Sequence, residues 1–442
     1  MPASNAPPRA LSEPPGPLAG QQPEKKQHSV LRSAGLGLIT GAADDDCCAI
    51  GTYAQAGAQF GYMCLWTAPV TLPMMVAVVY LSGKLGQVTG MGLFAVIREH
   101  YSRWFLYTVL AGVVVGNVIE AGADIGAMAA ALGILIPVST KLIVLLVTAT
   151  VLVLQIWGSY TFIRNVLRVL AMSLIAYVIS ALMSHPEVGG VLRGTFVPQV
   201  RFDKSFLSLL VAIIGTSLSA YLYTWQSNEE VEEKIAAGRK RVRHRRGATH
   251  ADLKQSLIDV IFGMLFSNVV MYFIILATAA TLFRAGRHDI ASAADAAMAL
   301  RPLAGKVAGA LFAVGIVGVG FLAVPVMTTG AAYDVAQSLG WRHGLYRKPA
   351  EAKNFYLAIT VFTLAAMSIN FLGFNPMKAL VFAGIIQGFS TPPLMLLIMF
   401  MTNRRKIMGD KVNGRAINVL GWITTGTIFS ASIALVVSWF IR

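Results

Sequence analysis

The sequence predicts an all-α polytopic membrane protein. Of its 442 residues, 56% are hydrophobic and only 13% are charged, whereas soluble domains carry about 25% charged residues. Eleven largely apolar stretches are each long enough to cross a bilayer. They must be helical, because unpaired backbone groups in lipid have no water to bond. The predicted spans are residues 34–63, 65–83, 104–132, 139–157, 165–183, 205–227, 255–283, 303–331, 354–373, 377–401 and 416–441.

Residues 1–32 are predicted to form a disordered cytoplasmic tail ahead of a transmembrane domain that covers residues 33–442. The tail is rich in Pro, Ala and Gln, and it lacks the apolar core of a signal peptide. If the N-terminus is cytoplasmic, the segments on that side hold 26 of the 36 Lys and Arg residues. The positive-inside rule therefore predicts a cytoplasmic N-terminus, and we expect an integral protein of the plasma (inner) membrane.

The net charge of +15 raises nucleic acid as a partner, but the distribution of charge favours membrane lipid instead. The basic run "RKRVRHRR", residues 239–246, follows the sixth span and is expected to be a solvated loop that touches anionic lipid. Four acids in the tail of the sixth span are expected to form a solvated face opposite that loop. These acids are Glu229, Glu230, Glu232 and Glu233.

Two of the predicted helices are interrupted by Gly and small polar residues. The first contains "GAADDDCCAIG" from residue 41, and the sixth contains "GTSLSAY" from residue 215. A pair of broken helices at matching positions indicates an inverted-repeat transporter whose site lies where the unwound segments meet. We therefore predict two inverted halves of five helices each, at about residues 33–183 and 205–401, with an eleventh helix appended.

Three consecutive aspartates, Asp44, Asp45 and Asp46, lie inside the first apolar stretch. Carboxylates deep in a bilayer are costly unless they face water or hold a cation, so they indicate a functional site. A cluster that caps a helix would also suit carboxylates, but the apolar "LGLIT" precedes them. Three carboxylates in one turn cannot all aim at one ion. We expect one to coordinate a cation, one to cap the second half-helix and one to face water.

Thiols and hydroxyls near the two breaks are further candidate ligands. Cys47 and Cys48 can hold a soft metal beside a carboxylate, although a buried free cysteine more often packs as a small hydrophobe. In the sixth helix, Ser217 and Ser219 can join freed carbonyls in an oxygen cage for a hard cation. Alternatively, these hydroxyls simply bond the carbonyls of their own helix.

The third helix carries two acids on one face. In "NVIEAGADIGAM", Glu120 and Asp124 stand four residues apart, which places them one turn from each other. Either an ion pair with a basic neighbour or a proton relay or cation path explains such a pair. Gln387 in the tenth helix is a further polar candidate.

Enzyme chemistry is not indicated. The sequence has no HExxH, GxSxG or Walker-type motif, and its seven histidines lie outside the apolar cores. Without a nucleotide site, transport must run on ion gradients. Two other functions stay open: a carrier of the same fold for an amino acid or other organic solute, and a metal sensor that does not transport. The three aspartates disfavour a carrier for an amino acid or other organic solute. The carboxylate of such a solute would bind at a helix N-terminus that is free of carboxylate side chains.

The first helix, "GLGLITGAADDDCCAIGTYAQAGAQFGYMCLW", resembles the natural-resistance-associated macrophage protein (Nramp) family of divalent metal transporters. "QAGAQFGY" from residue 55 matches the family well, and counting back from it puts Asp46 on the family's metal-binding aspartate. The chain also departs from the family pattern. Cys-Cys-Ala at residues 47–49 replaces Pro-Gly-Asn, Ser219 replaces a methionine, and Tyr221 replaces a histidine.

This resemblance implies a leucine-transporter-type fold and gradient-driven uptake of a divalent metal cation, which is a substrate and not a cofactor. Loss of the methionine sulfur implies relaxed selectivity toward hard cations such as Mg²⁺. Protons are a candidate coupling ion, and the oligomeric state is left open. Together with the reasoning from the residues, this resemblance predicts a metal site comprising Asp46, Ala43, Ser219, Asp45, Cys47, Ser217 and Gln387. The implied pathway or proton relay comprises Asp44, Glu120, Asp124 and Tyr221.

Overall fold

The computed structural model describes Gly41, residues 43–157, residues 174–438 and Phe440, which form helices and no strands. The predicted tail, residues 1–32, lies outside the described residues. The longer helices are α1 (Cys47–Phe60), α2 (Thr67–Thr89), α3 (Leu93–His100), α4 (Arg103–Leu132), α5 (Thr140–Trp157), α6 (Ile175–Met183), α7 (Val188–Phe196), α8 (Lys204–Ser217), α9 (Ala220–Ala236), α10 (His250–Thr278), α11 (Ala308–Leu339), α12 (Lys353–Ile369), α13 (Pro376–Asn403) and α14 (Arg415–Ser438).

Within the described ranges, eight helical segments are long and apolar enough to cross a membrane. They contain α2, α4, α5, α8 with α9, α10, α11, α13 and α14, and α12 is apolar but shorter. These segments confirm the predicted polytopic helical membrane protein. The predicted first and fifth spans lie partly outside the described residues. The count of eleven and the boundaries of the two halves therefore stay predictions.

The first break falls within the aspartates. Gly41, Ala43 and Asp44 are helical, Asp45 forms a bend, and Asp46 is extended with φ −66° and ψ 178°. Asp46 is the N-cap of α1, where its Oδ1 accepts a hydrogen bond of 2.6 Å from the backbone N–H of Ala49. A carboxylate in this position meets unpaired amides and the positive end of the helix dipole. The predicted break and the predicted cap are confirmed.

The second break separates α8 from α9. Leu218 and Ser219 leave the helical conformation, with φ −128°, ψ 37° and φ −60°, ψ 139° respectively. The carbonyl of Leu218 accepts hydrogen bonds from the Thr391 hydroxyl, at 3.1 Å, and from the Tyr223 hydroxyl. Buried backbone groups freed from a helix need such partners. The interruption predicted in the sixth span is therefore confirmed.

Glycines let α8 and α13 approach each other closely next to this second break. A Cβ atom at Gly215 would lie 2.0 Å from the carbonyl oxygen of Gly384 and 2.5 Å from the backbone nitrogen of Gly388. No side chain fits there, and small residues are typical of close crossings in membranes. Because α13 also packs against α4, the crossing brings three helices together around the broken segments.

The prediction of a solvated face at the end of the sixth span is wrong for three of the four acids. The helix continues to Ala236 and buries Glu229, Glu230 and Glu232, whereas Glu233 is exposed. Since this part of α9 packs against α2 and α11, its acids find partners on other helices. The Glu230 carboxylate, for example, accepts a hydrogen bond of 2.6 Å from Gln87.

Candidate metal centre

Asp46, Cys48 and Asp124 converge beside the break in the first helix. One carboxylate oxygen from each aspartate and the Cys48 Sγ atom all lie within 4.8 Å of one another, and the three residues are fully buried. Asp46 caps α1, Cys48 lies in the first turn of that helix, and Asp124 comes from α4. The three atoms are spaced so that one ion could contact all of them.

Hydrogen bonds fix the two carboxylates of this cluster. Asp124 Oδ1 accepts from the Cys48 backbone N–H at 3.0 Å, and Asp46 Oδ2 accepts from the Tyr221 hydroxyl at 3.0 Å. Among the described residues, Asp124 Oδ2 has no hydrogen-bond partner although it is buried. A buried polar atom without a partner is costly. A bound cation would remove that cost, so the orphaned oxygen favours a metal centre.

Glu120 lies one turn before Asp124 and touches the second break. Its Oε2 accepts a hydrogen bond of 2.6 Å from the Gln387 side chain, and its Oε1 lies 3.3 Å from the Ser219 hydroxyl. Gln387 also donates to Asn117 Oδ1 at 3.2 Å. Gln387 and Glu120 are therefore hydrogen-bonded to each other. The Ser219 hydroxyl adjoins them but lies closer to two carbonyls of its own helix, at 2.9 Å and 3.0 Å, as the alternative of bonding within the helix expects. This group adjoins the Asp46–Cys48–Asp124 cluster through α4.

No described basic side chain neutralises the buried acids. Asp44, Asp45, Asp46, Glu120 and Asp124 are all fully buried. The ion pairs found among the described residues are peripheral and reach none of them. The ion-pair interpretation of the acids in α4 thus has no support in the described part of the chain. The expectation that one of the three consecutive aspartates faces water is wrong, because burial is complete for all three.

Asp44 and Asp45 turn toward α10. The hydroxyl of Ser267 lies 2.6 Å from Asp44 Oδ2 and 3.1 Å from Asp45 Oδ1. Neither carboxylate joins the cluster at Asp46. The two aspartates and Ser267 therefore form a separate polar group on the other side of the break.

Three other predicted ligands lie near the cluster but outside it. The Ala43 carbonyl lies 2.7 Å from the Tyr221 hydroxyl, which shares its one proton between this carbonyl and Asp46 Oδ2, and the Ser217 hydroxyl pairs with Tyr53 at 2.8 Å. The Cys47 thiol points toward α11 and contacts the carbonyl oxygen of Ile316 at 3.4 Å. The structure thus brings Cys48, and not Cys47, to the two carboxylates.

The sequence supports an assignment to a family. It matches the family described as natural resistance-associated macrophage protein-like over residues 37–438. The chain belongs to the Nramp family. Two Klebsiella pneumoniae proteins described as divalent metal cation transporter MntH are each 26% identical to it over 396 residues. Those matches cover 87% of this chain and 89% of the relatives.

Solved structures confirm the predicted fold of this Nramp chain. A manganese transporter from Eremococcus coleocola superposes with a TM-score of 0.73 at 17% identity, covering 95% of this chain and 88% of that one. Mhp1, a nucleobase-cation-symport-1 family transporter, gives a TM-score of 0.59 at 14% identity, with 92% and 91% covered. The leucine-transporter-type arrangement therefore holds across the described helices.

Two buried polar residues in this Nramp chain were not singled out from the sequence. Ser267 carries no local signal, because a serine inside an apolar helix commonly bonds its own helix. Asp334 lies beyond the predicted end of the eighth span, yet α11 continues through it and buries it completely. A helical pattern extended past residue 331 would have found it.

Proposed function

We propose that this Nramp-family chain carries divalent metal cations across the membrane by alternating access around Asp46, Cys48 and Asp124. The observation that supports this most directly is the buried cluster of three ligand atoms at the break of the first helix. Unwound segments at the midplane are where transporters of this architecture bind their ions. The MntH relatives, described as divalent metal cation transporters, support the same substrate class.

The ligand atoms indicate which cations fit. The two carboxylates suit harder ions such as Mn²⁺, and the thiol adds affinity for borderline and soft ions such as Fe²⁺ and Cd²⁺. Ser219 offers a hydroxyl where the family pattern has a thioether, and it lies beside Glu120. We therefore include relaxed selectivity toward hard cations such as Mg²⁺ in the proposal.

Glu120 is our candidate for coupling transport to protons. It is buried next to the Asp46–Cys48–Asp124 cluster. One of its carboxylate oxygens contacts Ser219, the N-cap of α9, and the other contacts Gln387 in α13. A carboxylate in this position can exchange a proton when a cation arrives or leaves. Recording pH inside the vesicles during uptake tests this part of the proposal.

We place the chain in the plasma membrane with a cytoplasmic N-terminus, and the arrangement of the basic loops supports this orientation. Arg245, in the basic run, donates to the carbonyl of Gly90 after α2 at 2.6 Å. Lys411, after α13, lies 2.9 Å from His250 at the start of α10. The basic segments thus meet at one end of the helices, as the positive-inside rule expects for the cytoplasmic face.

The decisive experiment measures Mn²⁺ uptake by proteoliposomes that contain the full chain. Asp46→Ala should abolish uptake, and Asp46→Asn should do the same while keeping a good N-cap for α1. The exposed variant Glu351→Ala serves as the control and should transport normally. Uptake that survives in both Asp46 variants would reject the site. Wild-type protein that binds Mn²⁺ but moves none would favour a sensor.

A further inference from the structure

The polar group at Asp44, Asp45 and Ser267 has too few protons for its hydrogen bonds. A serine hydroxyl carries one proton, and ionised carboxylates only accept. The Ser267 hydroxyl can therefore satisfy Asp44 Oδ2 at 2.6 Å or Asp45 Oδ1 at 3.1 Å, but not both. In addition, Asp44 Oδ1 and Asp45 Oδ2 are buried without any hydrogen-bond partner among the described residues.

The charge of this group is equally uncompensated. Both aspartates are completely buried, and no described Lys, Arg or His lies within ion-pair distance of them. Burying a carboxylate without a counterion is strongly unfavourable, so such groups are normally paired or bind metals. A divalent cation would neutralise both charges and occupy the orphaned oxygens.

The group is also separate from the metal cluster that the proposed function uses. Asp46 directs its oxygens to the backbone N–H of Ala49 and to Tyr221, on the α1 and α9 side of the break. Asp44 and Asp45 instead meet α10 at the end of the first half-helix. The C-terminal end of a half-helix carries partial negative charge, which favours a cation.

From these observations we propose that Asp44, Asp45 and Ser267 form a second cation site, selective for a hard divalent ion such as Ca²⁺ or Mg²⁺. All its side-chain ligand atoms are oxygens, and hard cations prefer oxygen ligands. The Asp46–Cys48–Asp124 cluster contains sulfur, so even with relaxed selectivity it should bind a hard cation less tightly than an all-oxygen site does. This proposal rests on the proposed function in one respect: it takes the Asp46 cluster as the substrate site.

The test counts Ca²⁺ ions bound by the purified full chain, using isothermal titration calorimetry at fixed pH. Wild-type protein should bind Ca²⁺, and Asp46→Asn should keep that binding although it loses Mn²⁺ uptake. Ser267→Ala should weaken Ca²⁺ binding at this site about tenfold or more, and the double variant Asp44→Asn/Asp45→Asn should remove the Ca²⁺ binding that Asp46→Asn keeps. Ser180→Ala is the matched control, because its buried hydroxyl also donates one hydrogen bond, to the Ala299 carbonyl.

Three results would overturn the second site. The first is wild-type protein that binds no Ca²⁺, which would mean that the carboxylates share protons instead. The second is Ca²⁺ binding that disappears in Asp46→Asn, which would mean that there is one site only. The third is unchanged binding in the double variant. Melting temperatures of all variants separate lost binding from lost folding. Failure of the proposed function would appear independently, as Mn²⁺ uptake in the Asp46 variants.

Discussion

Tyr221 connects the two sides of the broken first helix, and its removal tests how much the break depends on that connection. Its hydroxyl lies 2.7 Å from the Ala43 carbonyl, before the break, and 3.0 Å from Asp46 Oδ2, after it. Tyr221→Phe keeps the buried ring and deletes the donor. Asp46 Oδ2 then loses this hydrogen bond, and the carboxylate becomes less well positioned for a metal.

Two independent estimates give the size of the effect on metal binding. A hydrogen bond to a charged acceptor contributes about 1.5–3 kcal/mol. Losing a side chain that orients a metal-ligating carboxylate lowers metal affinity by about 10–100-fold. The estimates agree, because about 1.4 kcal/mol corresponds to a tenfold change in Kd. We therefore expect Tyr221→Phe to raise the Kd for Mn²⁺ about 10–100-fold.

Calorimetric titration of Mn²⁺ into the purified protein measures this Kd directly. Tyr177→Phe is the control, because the Tyr177 hydroxyl is buried without a hydrogen-bond partner among the described residues. Its removal should leave Mn²⁺ affinity unchanged. If Tyr221→Phe folds normally and binds Mn²⁺ as tightly as the wild type, the hydroxyl does not position Asp46 and the reasoning is refuted.

Two further predictions concern the thiol ligand and the helix crossing. Cys48→Ser should reduce the ability of Cd²⁺ to inhibit Mn²⁺ uptake by about tenfold or more, because a hydroxyl binds soft metals weakly. Cys64→Ser is its control, and equal inhibition in both variants would exclude Cys48 as a ligand. Gly215→Val should lower the melting temperature and cost about 1–3 kcal/mol or more, since its Cβ would lie 2.0 Å from the Gly384 oxygen. A similar loss in Gly112→Val, whose Cβ would meet nothing within 4 Å, would contradict the packing argument.

The two helix breaks could be predicted because their signals are local. Glycine and small polar residues interrupt apolar runs at the aspartates and again near Ser219, and the structure unwinds at both places. The spacing of Glu120 and Asp124 likewise predicted a shared face of α4. Neighbouring residues largely determine whether a segment is helical or unwound, so a local sequence pattern can predict it.

Partners from distant helices could not be predicted in the same way. Ser267 reaches Asp44 across more than two hundred residues of sequence, and an isolated serine looks the same whether it bonds its own helix or another. The choice between Cys47 and Cys48 depends on how α1 is rotated against α4 and α11. Glu230 is buried although its neighbours in the sequence are polar, because its contacts with other helices determine its burial.

The two adjacent thiols of α1 can report, without any substitution in the chain, when this helix becomes accessible to solvent. Successive residues of a helix point about 100° apart, and accordingly the Cys47 sulfur faces Ile316 while the Cys48 sulfur faces Glu120. All three cysteines of the chain are buried and unbridged. A membrane-impermeant maleimide added to one side would therefore alkylate Cys47 or Cys48 only in molecules in which α1 has become accessible from that side, with no engineered cysteine required.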